Sequence, residues 1–494
     1  MLILMMSLMT LTAEGDMQTQ LLPVANDPVV SIRIWFKVGS MNDPAGKEGL
    51  ANLTAALLSE GSTQKNGYAQ ILEKLYPLAA GYSCDASMEM TVFKGQAHVD
   101  AFEEYYPLFK EALLFPAFKQ DDLDRLKSEA LNYLENSLRY SSDEELGKAV
   151  LLQEMYKGTG YAHPIAGTIE SLKSINLIDI KTFYQTWFTQ ENMVIGMAGG
   201  YKPEWVDVLK KDLKAMPSGK PAQAKAPVPA AYQGFPVTLI EKDTASTAIS
   251  MGFPLDVLRG EKDWYALAIA NSWLGEHRNS SSHLYNVIRE KRGLNYGDYS
   301  YIEYYPNGGR RTKPPQNVGR HNQLFEIWIR PVPNEARHFA LRAALREFDH
   351  LVDHGMTQED FDLTRSFLKK YVLHYAPTSD ERLAYQLDDR FYGLDHAHLE
   401  TFRKMMDSLT LADVNAAIKK HWHKGNFRIA VITKDAASFK QALVENTPSP
   451  ITYPTPKPQE ILDEDKQIEV YPIPVKAEDV HIIPVNELFI STKR

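Results

Sequence analysis

An α+β fold of two related units, each a sheet with helices packed on one face, is what this 494-residue sequence predicts. Three observations carry the prediction. The length exceeds what one compact core accommodates, and two domains of roughly 200 residues are the natural division. Two pairs of segments repeat at nearly equal spacing. "SINLIDIKTFYQTWFTQENMVI" from Ser174 aligns without a gap on "SLTLADVNAAIKKHWHKGNFRI" from Ser408, and "QDDLDRLKS" from Gln120 aligns on "QEDFDLTRS" from Gln358. Between the repeats, residues 217–236, "PSGKPAQAKAPVPAAYQGFP", have no apolar period and read as an extended linker.

The elements follow in order. "MLILMMSLMTLTAEGD" is apolar through Ala13, with small residues before Glu14. It resembles the apolar core and end of a secretory signal peptide but lacks the positive start. Residues 1–17 are assigned to it, and export to the periplasm is expected ahead of a cytoplasmic location. The first unit spans 18–216. In "VVSIRIWFKVGS", Val30, Ile32 and Ile34 alternate with Ser31, Arg33 and Trp35, the period of a strand. "EGLANLTAALLSE" follows as an amphipathic helix whose core face is Leu50, Leu53, Leu57 and Leu58, closed by Gly61. The segment from Ser174 reads as a capped helix, a short turn and a strand. The second unit, 237–446, opens the same way, with the strand "TAISMGFPLDV" and the helix "DWYALAIANSWLGE". Residues 447–494 contain "TPSPITYPTPKPQEILDEDK", whose prolines suit neither a helix interior nor a central strand. They are expected to form an extended tail that wraps the body.

Composition narrows the function classes. Hydrophobic residues at 44% and charged residues at 24% fit a soluble globular chain. A net charge of -9 with no long basic run argues against nucleic-acid binding, which needs Lys and Arg to neutralise phosphates. A single cysteine, Cys84, excludes an intrachain disulfide and a multi-cysteine metal site. Beyond the N-terminus no segment is long and apolar enough to span a bilayer.

The order of elements, with "VGSMNDPAGKEGLANLTAALLSEGST" after the first strand and "SSSHLYNVIREKRGLNYGDYSYIE" in the second unit, resembles the insulinase (pitrilysin) family of zinc metallopeptidases across residues 28–444. The resemblance implies two duplicated insulinase-like units, joined by the linker into a clam-like pair. Catalytic members carry H-x-x-E-H on the first helix. Histidines four apart share a helical face and grip one zinc, and the Glu is general base for zinc-bound water. A further Glu about 75 residues on completes the site.

Laid on that pattern, this chain has Asn52 for the first His, Ala55 for the Glu and Ala56 for the second His. Alanine offers no lone pair to a metal and no base to water. Glu129 falls near the distal Glu but somewhat short of it. No metal ligand and no catalytic residue is therefore expected in this chain, and the helix is read as structural. Three other histidine groups are read as bland. "HLVDH", from His350 to His354, ends a helix before Gly355, where histidine suits the dipole. "HWH" at His421 and His423 and "HAH" at His396 and His398 have a spacing that does not share a helical face.

In the family, the second unit supplies an Arg and a Tyr, seven residues apart, that contact the peptide and polarise its carbonyl. "REKRGLNY" places Arg289 and Tyr296 at that spacing, and the resemblance makes them substrate-binding. Guanidinium and phenol both donate to an oxyanion. Taken alone, "REKRG" also reads as a helix end with basic residues against the dipole and Gly293 as cap. Tyr299, Tyr301, Tyr304 and Tyr305 follow with strand-like alternation; one face could line a cavity and an edge here could accept a peptide strand. The loop 306–322 is basic, Gly-rich, without a P-loop pattern, and expected to be mobile. No G-x-S-x-G occurs, and Cys84 has no His partner legible in sequence.

Two functions fit. One is the zinc-less partner subunit of a heterodimeric metalloendopeptidase, which binds extended peptide and lends Arg289 and Tyr296 to a partner bearing H-x-x-E-H and the zinc. The alternative is a non-catalytic scaffold subunit of a larger assembly, with the Pro-rich tail as a docking arm.

Overall fold

The computed structural model describes residues 17–276, 281–306 and 311–492. The expected signal segment lies almost wholly outside these residues, as does the tip of the 306–322 loop. The first unit runs β1 (Gln18–Pro23), β2 (Val29–Phe36), α1 (Leu50–Glu60), α2 (Tyr68–Leu75), β3 (Gly81–Ala86), β4 (Thr91–His98), α3 (Phe102–Leu114), α4 (Gln120–Asn132), α5 (Asp143–Met155), α6 (Ile169–Ser174), α7 (Leu177–Trp187), β5 (Met193–Gly199) and α8 (Pro203–Leu213). The second runs β6 (Val237–Glu241), β7 (Ser246–Leu255), α9 (Lys262–Gly275), β8 (Asp298–Tyr301), β9 (Gln323–Pro333), α10 (Arg337–His354), α11 (Gln358–Tyr371), α12 (Ser379–Phe391), α13 (His398–Ser408), α14 (Leu411–His421), β10 (Arg428–Thr433), α15 (Ala436–Val444), α16 (Gln459–Ile468) and β11 (Val480–Pro484).

The two sheets have one topology. The first is ordered β1-β5-β2-β4-β3 and the second β11-β6-β10-β7-β9-β8. Without β11, each strand of the second sheet takes the place of its counterpart in the first. The outer pair is parallel in both, β1 with β5 and β6 with β10, and the pairs that follow are antiparallel. The repeats seen in sequence fall on α4 and α11, and on α7–β5 and α14–β10, so the chain is a duplicated α+β unit.

The units exchange helices. α5 of the first unit packs on β7, β10 and β9, and α12 of the second packs on β5, β1 and β2. Each sheet thus has its own helices on one face and a helix of the other unit on the opposite face. This explains why β2 is buried on both sides: Ser31, Arg33 and Trp35 alternate with the apolar residues yet are at most 6% exposed. Burying a charge is costly unless it is paired. Arg33 is paired, with its Nε donating to Asp380 of α12 at 2.8 Å and a terminal nitrogen donating to Asn317 at 2.8 Å. In the reverse direction, Gly147 lets α5 approach β7, since a Cβ there would lie 2.9 Å from Ser250 Oγ.

The tail departs from the expected extended form. Its prolines cluster before Gln459, and the proline-free "QEILDEDKQI" forms α16 with Pro458 at its start. β11 then joins the edge of the second sheet, parallel to β6, where Pro484 closes the strand without disturbing a central ladder. The chain continues to the first unit. Leu488 and Phe489 are buried in its core, and the Ile169 and Glu170 N–H groups donate to the carbonyls of Phe489 and Ile490 at 2.9 Å each. The described part of the 306–322 loop is likewise anchored: Arg320 is fully buried, its guanidinium facing the rings of Tyr156, Tyr161 and Tyr304. Among the described residues, no helix is long and apolar enough to cross a membrane.

Candidate functional site

α1 is set in place by its entry. The Asp43 carboxylate accepts from the Gly49 and Ala51 N–H groups at 2.7 Å each, replacing a side-chain cap at the helix start. Gly49 has φ 98°, and a Cβ there would meet the Ala166 carbonyl at 2.5 Å. Close backbone packing at this point lays the 163–167 loop beside the helix. Leu50, Leu53, Leu57 and Leu58 face the core as their spacing predicts, none more than 3% exposed.

Asn52, Ala56 and Glu60 form the other face, which lines a cavity of about 510 Å³. Ala55 is not on it; its methyl is buried in the core. β3 adds Cys84, α4 adds Glu129, the turn that follows α4 adds Tyr133, and the second unit adds Tyr304, Tyr305 and Glu326. A position about 75 residues past Ala56 falls in this last stretch of α4. Glu129 is more than half exposed and bound to Arg125 at 3.0 Å, one turn away on its own helix. At Asn52, Ala56 and Glu129 the cavity presents an amide, a methyl and one committed carboxylate, where zinc needs three nitrogen or oxygen ligands and a water. These residues do not fit zinc. Among the described residues no group of three His, Cys, Asp or Glu side chains is placed to hold a metal.

The deep end of the cavity escaped sequence reasoning. Glu326, on β9, is buried and accepts from Trp328 Nε1; burial pushes its carboxyl up to about 7, against the pull of Lys148 and Arg320. Lys148 of α5 lies 3.4 Å from the centre of the Trp328 ring and is bound to Glu145 at 2.6 Å. The available signal was a lone Glu in the apolar strand "LFEIWI". His163 also lines the cavity; burial lowers its pKa, and its Nδ1 donates to the Pro164 carbonyl at 2.9 Å. Burial raises the Cys84 thiol well above its ordinary range, so it is a poor nucleophile.

The other histidines have plain roles. His354 Nδ1 donates to the His350 carbonyl at 3.0 Å and the two rings stack. His398 is buried against Tyr265, His396 bonds Asp395, and His421 bonds Asp263 at 2.8 Å, while His423 is exposed.

Arg289 and Tyr296 lie together, but not on the Asn52 cavity. They line an open groove of about 890 Å³ with Asn295 and Arg330. Tyr296 is 78% exposed, and Arg289 is partly exposed beside Glu290. Gly293 caps the preceding turn with φ 72°, its N–H donating to the Arg289 carbonyl at 2.6 Å. The neighbouring Arg292 points away from the groove. Its side chain is fully buried and pairs with Asp465 and Glu464 of α16.

Comparison with known proteins places this architecture. Residues 21–169 match the model of insulinase (peptidase family M16), and residues 174–368 match that of the peptidase M16 inactive domain. The chain belongs to the insulinase family, M16. Its M16 relatives include the "Non-peptidase homolog YmxG" of Helicobacter pylori, 25% identical over 420 residues, covering 82% of this chain and 89% of that one. The "Uncharacterized zinc protease SCO5738" of Streptomyces coelicolor is 21% identical over 352 residues, covering 66% and 68%. Among solved structures, the M16 inactive domain from Pseudomonas fluorescens superposes with TM-score 0.74 at 26% identity, over 85% of this chain and 96% of that one. A protease from Helicobacter pylori superposes with TM-score 0.70 at 17% identity, over 85% and 98%. In this M16 chain the first helix carries Asn52, Ala55 and Ala56 in place of the family's zinc motif, and residues 174–368 match the model of the peptidase M16 inactive domain.

Proposed function

We propose that this chain is the zinc-less subunit of a two-chain M16 endopeptidase, and that it binds extended peptide and presents Arg289 and Tyr296 to a partner's zinc site. One observation carries the reading. The pair lies on an open groove separate from the chain's own degenerate cavity, with Tyr296 largely exposed and Arg289 partly exposed beside Glu290, which supports a role at a site on another subunit. Zinc and its water come from an H-x-x-E-H partner; Arg289 and Tyr296 orient the peptide and donate to the developing oxyanion. Arg330 adds a second guanidinium to the groove while paired to Glu144 at 3.1 Å.

The test measures zinc content and hydrolysis of an unfolded peptide, first for the chain alone and then mixed with an H-x-x-E-H family member. The chain alone is expected to hold no zinc and cleave nothing, and the mixture to do both. In the mixed complex, Arg289→Ala with Tyr296→Phe is expected to lower kcat/KM by about 10²-fold or more without dissociating the subunits. Full activity of that complex overturns the proposal. A stable complex with a partner that lacks H-x-x-E-H supports a scaffold role instead.

A further inference from the structure

The duplication places a second, smaller cavity in the second unit. The register that aligns Gln120 with Gln358 sets Ala130 on Leu368 and Tyr133 on Tyr371. Ala130 lines the Asn52 cavity, and Leu368 lines a cavity of about 80 Å³ against α9, the counterpart of α1. Tyr304 and Tyr305 border both cavities. The first is the wider and includes the degenerate zinc face; Pro314 and Pro315 are among the residues that line the second.

The walls of this smaller cavity are aromatic: Trp264, Tyr301, Tyr305, Tyr375 and Phe402. Ring faces are electron-rich and attract cations. Two carboxylates, Glu276 and Glu303, lie among its polar groups. Glu276 accepts from Ser272 Oγ and, at 3.4 Å, from the Tyr375 hydroxyl, and no basic side chain among the described residues pairs with it. Burial raises its carboxyl above the ordinary range, against the hydrogen bonds from Ser272 and Tyr375. The Asn271 side-chain carbonyl and the Tyr385 hydroxyl line the same cavity without hydrogen-bond partners; these residues are 8% and 3% exposed. Arg259, the one arginine on the wall among the described residues, is committed to Glu303 at 2.8 Å and to Asp388 at 3.5 Å. His398 is held neutral by burial and bonds Tyr265. The cavity exceeds the roughly 10–15 Å³ that one water requires.

From the aromatic box, the Glu276 carboxylate, with which no described basic side chain pairs, and the two polar atoms without a described hydrogen-bond partner, we infer that this cavity binds a small alkylammonium cation. The ammonium faces Glu276 and the Asn271 carbonyl, and the alkyl groups lie against the rings. The inference is independent of the proposed role of Arg289 and Tyr296.

Calorimetric titration of the full chain with trimethylammonium chloride tests it, with tert-butanol as a neutral analogue of similar shape and constant ionic strength throughout. Tryptophan fluorescence is followed in parallel. Trimethylammonium is expected to saturate one site and tert-butanol to bind far more weakly. Glu276→Gln should weaken the cation about tenfold, and Trp264→Phe should reduce the fluorescence change. Equal binding of the two probes, undiminished binding by Glu276→Gln, or no saturable heat overturns the inference. If the Gln variant does not fold, the cation-against-alcohol comparison on the native chain decides alone.

Discussion

Asp43 satisfies two N–H groups that α1 would otherwise leave unpaired, so Asp43→Ala should cost about 1–2 kcal/mol in urea unfolding. Gly49→Ala should cost at least as much, because a left-handed φ is strained for alanine by about 1–2 kcal/mol and its Cβ would also collide with the Ala166 carbonyl. Both changes act on the helix that carries Asn52 and Ala56. A third effect at this scale depends on pH. His321 Nδ1 and Glu89 are paired at 2.6 Å across the two units. The hydrogen bond that His321 donates to Glu89 raises the His321 pKa; against the opposing effect of burial, bonds from His321 and Tyr161 hold Glu89 below its ordinary range. The His321 contribution is therefore complete below the ordinary histidine pKa and lost as pH rises through its raised folded value. The Glu89 contribution is complete above the ordinary carboxylate pKa and lost as pH falls through its depressed folded value. Stability relative to His321→Asn should thus be greatest in mildly acid solution and shrink toward alkaline pH. Its size should stay below about 1 kcal/mol, since the 44% exposed imidazole is screened by solvent.

At the scale of elements, the exchanged helices α5 and α12 make each sheet depend on the other unit. Arg33→Ala would strand Asp380 in the interface, and breaking a buried pair from one side costs about 3–5 kcal/mol. Replacing both with apolar residues of similar size should recover most of that loss, which a double-mutant cycle by thermal unfolding can read. On the other sheet, Gly147→Leu would force side-chain volume between α5 and β7 and should destabilise by about 1–3 kcal/mol or more. The two experiments probe the same design from opposite units.

The whole molecule is tied by its C-terminal segment. After β11 joins the second sheet, Leu488 and Phe489 enter the core of the first unit, so one strap crosses both. Removing the residues after Pro484 should lower the melting temperature by several degrees, since fully burying two large apolar side chains is worth about 3–6 kcal/mol. Scanning calorimetry should also show whether the single transition splits, as expected if the strap couples the units. An unchanged melting curve would mean that α5 and α12 alone hold them together.

Much of this was legible in the chain itself, because it depends on local pattern. The alternation of Val30, Ile32 and Ile34, the leucine face of α1 and the two ungapped repeats identified strands, helices and a duplication before any contact was known. The replacement of the zinc motif was equally legible, since Ala55 and Ala56 offer no donor atom and Asn52 only a neutral amide oxygen, whatever surrounds them. Tertiary structure decided the rest. Ser31, Arg33 and Trp35 alternate as a solvent face would, and only the arrival of α12 from the other unit buries them. The tail looked extended from its prolines, yet α16 and β11 form where prolines give way and a sheet edge is available. Lys148 is far in sequence from Glu326 and Trp328 and meets them only because the units interlock. The separation of Arg289 and Tyr296 from the Asn52 cavity depends on where two distant segments come to lie. Periodicity and side-chain chemistry are written residue by residue; which faces meet is a property of the packed whole.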